Sequence, residues 1–153
     1  MTESTAIAQA PDTTPKYIIK QVSDKLGISS YTIRYYENIG LIPFVERKGA
    51  NVRMFSDYTI EWLKLVICLR KTGMPIEEVK LYNDLCLKGD STINERLGLI
   101  KTQEERIDQQ IEELKKVKEL LKRKKGHYNT VVKNNVPDPW NPLNIYKKEP
   151  AEN

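Results

Sequence analysis

The side chains best equipped for chemistry in this sequence are cations and phenols, and they fall in two short clusters. Tyr31, Thr32, Arg34 and Tyr35 lie within five residues, and Arg47, Lys48 and Arg53 within seven. A guanidinium is a planar fork of donors that fits guanine or phosphate, and hydroxyl groups suit phosphate oxygens. Both clusters therefore suit contact with duplex DNA. Nucleophiles and soft ligands are scarce: Cys68, Cys86 and a single histidine, His127. A metal site needs several such ligands at set spacing, so neither metal nor cofactor is expected. The sequence has no glycine-rich phosphate loop and no nucleophile elbow. His127 follows Lys124, Lys125 and Gly126 and is expected to be solvated. An enzyme is not expected.

Cys68 has two cations at helical spacing, Lys64 four residues before it and Lys71 three after. Residues so spaced share a helix face, and neighbouring cations favour the thiolate that attacks electrophiles. The competing reading is a small buried hydrophobe, the common fate of a helical cysteine. Both stand at this point. Cys86, between Leu85 and Leu87 with no such flank, reads as packing.

The formal net charge of +4 is unevenly spread: residues 1–15 carry −2, residues 16–73 carry +5 and residues 74–153 carry +1. A basic module of 58 residues is what a polyanion-binding surface requires. No apolar run of about 18 residues occurs, so no membrane helix is expected. The first 15 residues lack the basic start and apolar core of a signal peptide. With only two cysteines, a reducing cytoplasm is expected, without disulfides.

These side chains need a frame. Residues 1–15 are small, polar and proline-containing, and are expected to form a disordered arm. Ile18, Ile19, Val22 and Leu26 follow helical spacing, with Gly27 at the end. Ser29 or Ser30 can cap a second helix through Asn38, closed by Gly40. Phe44 to Arg47 and Val52 to Phe55 read as strands flanking the turn formers of residues 48–51. Ser56 and Asp57 start a third helix through Thr72, and Pro75 a fourth to about Leu87. Thr92 and Glu95 have capping-box spacing. Beyond them Ile93, Leu97, Ile100, Glu104, Ile107, Ile111, Leu114, Lys118 and Leu121 alternate steps of four and three, seven of these nine positions being aliphatic. Such a narrow, long apolar seam predicts a coiled-coil dimerisation helix rather than an amphipathic helix lying on its own domain. Glu104 and Lys118 would meet across an antiparallel pair. The expected fold is mainly α: a winged helix-turn-helix with two supporting helices over 16–90, a dimerisation helix over 91–134, and a proline-rich tail over 135–153. In that tail Trp140, Ile145 and Tyr146 are expected to tack the chain onto the dimer.

Residues 19–22 (IKQV), 26–29 (LGIS) and 32–42 (TIRYYENIGLI) resemble the N-terminal signature of the MerR family of bacterial transcription regulators. The resemblance continues through residues 53–56 (RMFS) and 69–78 (LRKTGMPIEE), and covers roughly residues 17–125. It implies a winged helix-turn-helix followed by a long antiparallel dimerisation helix. It further implies that Arg34, Tyr35, Tyr36, Arg53 and Arg70 fall on DNA-contacting positions, although the Tyr35 and Tyr36 rings could instead pack under the wing. Val52 departs from the family, where an aromatic residue is common.

The resemblance also implies a homodimer on a promoter shared with RNA polymerase, in a bacterial cytoplasm at the nucleoid. Such regulators act as repressor or activator by kinking and untwisting promoter DNA. Residues 65–70 (LVICLR) are similar to the third-helix segment of the NmlR/AdhR subgroup, thiol-dependent regulators responsive to reactive carbonyl compounds, which points to Cys68 as the sensor. Two alternatives remain: a regulator of this kind with another inducer and a structural Cys68, or a coiled-coil interaction protein without regulatory activity.

Overall fold

The computed structural model describes residues 11–145. In chain order its elements are β1 (Tyr17–Ile18), α1 (Ile19–Leu26), α2 (Ser30–Asn38), β2 (Glu46–Lys48), β3 (Val52–Phe55), α3 (Asp57–Lys71), α4 (Ile76–Leu87), α5 (Ile93–Asn134) and α6 (Pro142–Ile145). The helix starts follow local chemistry. Ser29 Oγ accepts the Thr32 N–H at 3.0 Å and Ser56 Oγ accepts the Thr59 N–H at 3.1 Å, each satisfying an amide the helix cannot. Gly27 closes α1 at φ 66°, its N–H donating to Ser23 O at 2.9 Å, a left-handed conformation that glycine adopts cheaply.

Two expectations about the wing need correction. Phe44 does not begin a strand: its φ is 65°, a left-handed value that breaks the pleat, so β2 begins at Glu46. The Phe44 carbonyl accepts from Thr59 Oγ1 at 3.3 Å, and its ring lies 5.3 Å from that of Tyr58. Ile18, expected in the first helix, instead belongs to a third strand. The sheet order is β1-β3-β2, all antiparallel, with Tyr17 opposite Phe55 and Arg47 opposite Arg53. A two-residue strand has no periodicity to read.

One core joins these elements. Val22, Ile33, Leu41, Phe55, Leu63, Val66, Met74 and Val79 are fully buried, drawn from α1, α2, β3, α3, α4 and the intervening turns. Residues 12–15, expected in a disordered arm, are tied to α3. The Tyr58 N–H donates to Asp12 O at 3.1 Å, and Lys16 Nζ sits 2.9 Å from Asp12 and 2.7 Å from Asp57. Hydrogen bonds from Thr14 and Lys16 hold the Asp12 carboxyl well below the usual carboxylate range, while Asp57 and Asp12 raise the Lys16 ammonium. Residues 1–10 of that arm lie outside the described residues.

The chain forms two compact units, the first ending at Glu104 and the second beginning at Glu105. The first unit includes the start of α5, whose side chains are fastened to it. Thr92 does not form the expected capping box. It is buried, and its hydroxyl donates to Leu85 O at 2.7 Å and Gly89 O at 2.8 Å, while Arg96 Nε donates to it at 3.2 Å. Gln103, also buried, donates from Nε2 to Thr72 O at 2.8 Å and so caps the end of α3.

The second unit holds the rest of α5 and a tail folded on its own helix. His127 is not solvated: its Nε2 lies 2.6 Å from Asp138 Oδ1 and its ring stacks on Trp140, centroids 3.6 Å apart. Trp140 therefore fastens the tail to the same chain's α5. The prolines do not exclude helix entirely, since Pro142 opens the short α6 and Asn141 Oδ1 caps it by accepting the Leu143 N–H at 3.0 Å. Proline is well suited to a first helical position. Tyr146 and the rest of the tail lie outside the described residues.

The hydrogen bond from His127, aided by the Trp140 N–H, lowers the Asp138 pKa below its ordinary 3.8. A carboxyl depressed in the fold stabilises it at pH above its unfolded value and loses that contribution as pH falls through the folded value. In a Trp62→Phe background, Trp140 emission is expected to shift on acidification below about pH 4. Asp138→Asn should abolish that transition, since the amide does not titrate.

Candidate nucleic-acid interface

Five of the nine expected contact residues cluster on α2. Ser29 and Ser30 start this helix only three residues after α1 ends, and its buried Ile33 pins one face to the core. The opposite face is thereby turned out: Tyr31 is 78% exposed, Tyr35 44%, and Arg34 is exposed too. Thr32 is half-buried, its Oγ1 2.8 Å from Ser29 Oγ, so its hydroxyl serves the cap. Tyr36 packs against the core with its ring centroid 6.0 Å from that of Tyr35. The two tyrosines, open in the sequence, thus separate into an outward and an inward ring.

Arg34 lines a groove between α1, α2 and the wing together with Lys20, Arg53, Ile19 and Val52. Lys20 was not among the expected contacts. Its place on the exposed side of α1 emerges only when α1 and the wing are set beside α2. Three cations around one groove repel one another, and the approach of polyanionic DNA would relieve them.

The wing differs from a simple row of cations. Arg47 and Arg53 are directly opposed across β2 and β3, and both reach Glu37 on α2. Arg47 Nη2 lies 3.0 Å from Glu37 Oε1, and Arg53 Nε donates to Glu37 Oε2. Lys48, at the end of β2, is exposed. Arg70 is exposed at its residue as a whole, but its Nη1 donates to Met74 O at 2.6 Å and closes the turn between α3 and α4.

Residues 17–84 match the family described as MerR HTH family regulatory protein, and residues 60–124 match that described as MerR, DNA binding. An HTH-type transcriptional regulator of Haemophilus influenzae is 39% identical over 112 residues, 73% of this chain and 83% of that protein. This chain belongs to the MerR family. The HTH-type transcriptional regulator AdhR of Bacillus subtilis is 35% identical over 89 residues, 58% of this chain and 64% of that one. A crystal structure of HiNmlR, a MerR family regulator lacking the sensor domain and bound to promoter DNA, superposes with a TM-score of 0.65 at 37% identity. That match covers 78% of this chain and 91% of the other. This MerR family chain is accordingly a DNA-binding transcription regulator and not an enzyme. Its winged helix-turn-helix and long helix are those expected from its sequence.

Among the described residues no group of three His, Cys, Asp or Glu side chains is placed to hold a metal, and no helix is long and apolar enough to cross a membrane. Cys68 is exposed on α3, which removes the buried-hydrophobe reading within this chain. Of its two expected cations, Lys64 is bound to Glu61 at 2.6 Å. Cys86, expected to pack, is half-buried, and an unexpected cation lies beside it: Arg96 Nη1 from α5 approaches its Sγ to 3.8 Å. Sequence spacing on α4 could not reveal a cation supplied by another helix.

Proposed function

We propose that the chain works as a homodimer that binds a promoter palindrome and controls transcription by distorting the DNA between two recognition hexamers, for RNA polymerase on that promoter. The observation that carries this is the outward face of α2, where Tyr31, Arg34 and Tyr35 stand clear of the core, with Lys48 of the wing exposed as well. The likeness to HiNmlR, solved on promoter DNA, supports the same reading. DNA contact is assigned to Tyr31, Thr32, Arg34, Tyr35, Tyr36, Arg47, Lys48, Arg53 and Arg70. Pairing is assigned to Ile93, Leu97, Ile100, Ile107, Ile111, Leu114 and Leu121, antiparallel to a second copy. The protein then works in the bacterial cytoplasm, at the nucleoid.

The inducer in this reading is an aldehyde or quinone that forms a bond to the Cys68 sulfur. Added bulk on α3, the helix whose end Gln103 caps, biases two arrangements of the dimer. The exposure of Cys68 supports access by such a reagent. Arg96 beside Cys86 favours a second reading, in which that thiol is the reactive one.

Two experiments test these readings. Footprinting on genomic fragments, with and without methylglyoxal, is expected to show equal occupancy and a changed cleavage pattern at the palindrome centre. Release of the DNA by the inducer would overturn the distortion mechanism. In a promoter-reporter assay Cys68→Ser is expected to repress normally but lose induction, and Cys86→Ser to keep it. The reverse pattern would move the sensor to Cys86.

A further inference from the structure

Glu37 occupies a place where its charge is locally unfavourable. It is the penultimate residue of α2, at the negative end of the helix dipole, and the last turn of α2 has no basic residue. Its side chain is only 16% exposed. The compensation comes from another element: both wing arginines, one from each strand of the hairpin, converge on the two oxygens of this carboxylate.

The wing needs that anion as much as the anion needs the wing. Arg47 and Arg53 are directly opposed across the ladder, the arrangement in which like charges repel most. A carboxylate between them makes each guanidinium a held fork rather than a mobile charge. It also links the wing to the recognition helix, because Glu37 lies three residues after Arg34 on the same helix. Arg34 and Arg53 line one groove.

We propose that Glu37 is a positioning residue for DNA recognition: it locks the wing to α2 and withholds the charge of two arginines from indiscriminate phosphate binding. This rests on the DNA-binding reading above and deepens it. In the free protein Arg47 and Arg53 are partly neutralised, which lowers affinity for arbitrary duplexes. On a matched site their geometry relative to Arg34 is already set, so little order has to be gained on binding.

The test uses the full-length protein and two fluorescent duplexes. One is recovered by wild-type protein from a randomised pool, and the other has the same composition shuffled. Glu37→Gln keeps the shape and removes the charge. It is expected to bind the shuffled duplex several-fold more tightly and the selected duplex about tenfold more weakly. Its salt dependence should steepen by about one ion per protomer. The double variant Glu37→Gln/Arg47→Gln restores the net charge, and should return the shuffled affinity and salt slope to wild type while the selected site stays weak. A purely structural role predicts equal loss on both duplexes with an unchanged slope, which would overturn the proposal. So would an unchanged ratio between the two duplexes. If Glu37→Gln proves poorly folded by circular dichroism, Arg47→Gln alone decides: it must lower selected-site affinity more than shuffled affinity, or the proposal fails. A wild-type protein that enriches no duplex would overturn the DNA-binding reading itself, a result distinct from all of these.

Discussion

Ile107→Asp/Ile111→Asp is expected to run as a monomer in sedimentation at micromolar concentration, and to lose measurable binding to a palindromic site. The reason lies in what α5 exposes. Ile111 is 43% exposed, Leu114 68% and Leu121 62%, along a helix that carries many charged residues on its other faces. Such a stripe is unfavourable in water, and in the proposed homodimer a second copy covers it. Fully burying an isoleucine contributes about 1.5–3 kcal/mol; Ile107 is already half-buried in the single chain and Ile111 43% exposed, so removing four across a two-fold pair costs at most roughly 6–12 kcal/mol. That is comparable with the whole free energy of a nanomolar dimer, about 12 kcal/mol. The four introduced carboxylates add desolvation. Helix content should fall only partly, since the first unit keeps its own core. A double variant that stays dimeric would place the pairing surface elsewhere.

The seam was legible because it repeats over four heptads, and local propensity agrees with pattern along its length. Its C-terminal third was less so. Val117 and Leu120, which the alternation of fours and threes passes over, are as exposed as the seam leucines, at 54% and 50%. A straight helix of 3.6 residues per turn drifts away from a strict seven-residue repeat. The apolar stripe thus widens beside Lys118, which weakens the Glu104–Lys118 pairing as a marker of register.

The helix-turn-helix was legible for a different reason. Ser29, Gly27, Ser56 and Pro75 are punctuation whose chemistry is local, and each sits at or next to the helix end where it was expected. What sequence could not give were partnerships between elements far apart in the chain. Gln103 on Thr72 O, Arg96 at Cys86, His127 on Asp138 and Glu37 between two strands all join residues at least ten apart. The partner of two wing cations was hidden for the same reason, because the anion answering Arg47 and Arg53 belongs to a helix. A usable signal existed in Glu37 alone: an acid at a helix C-terminus with no basic residue in that helix's last turn.

Arg34→Ala is the substitution expected to cost most at the DNA. The side chain is exposed on α2, lines the groove shared with Lys20 and Arg53, and belongs to the helix that a winged module sets into the major groove. A bidentate arginine on a base is worth about 1–3 kcal/mol of discrimination. With one such contact in each half-site, binding of a dimer to its palindrome should fall roughly 30-fold or more. Lys48→Ala is the contrasting case. Its ammonium lies on the wing and would meet a phosphate, so affinity should fall on all sequences alike, with the salt slope reduced by about one per protomer. The two variants are therefore distinguished by specificity and not only by strength. Arg34→Ala should relax base preference at one position of each half-site in a selection experiment, whereas Lys48→Ala should leave the preferred sequence unchanged. If Arg34→Ala weakened every duplex equally, its guanidinium would be a phosphate anchor in the groove with Lys20 and Arg53. Base reading would then fall to the neighbouring exposed residues, Tyr31 and Tyr35.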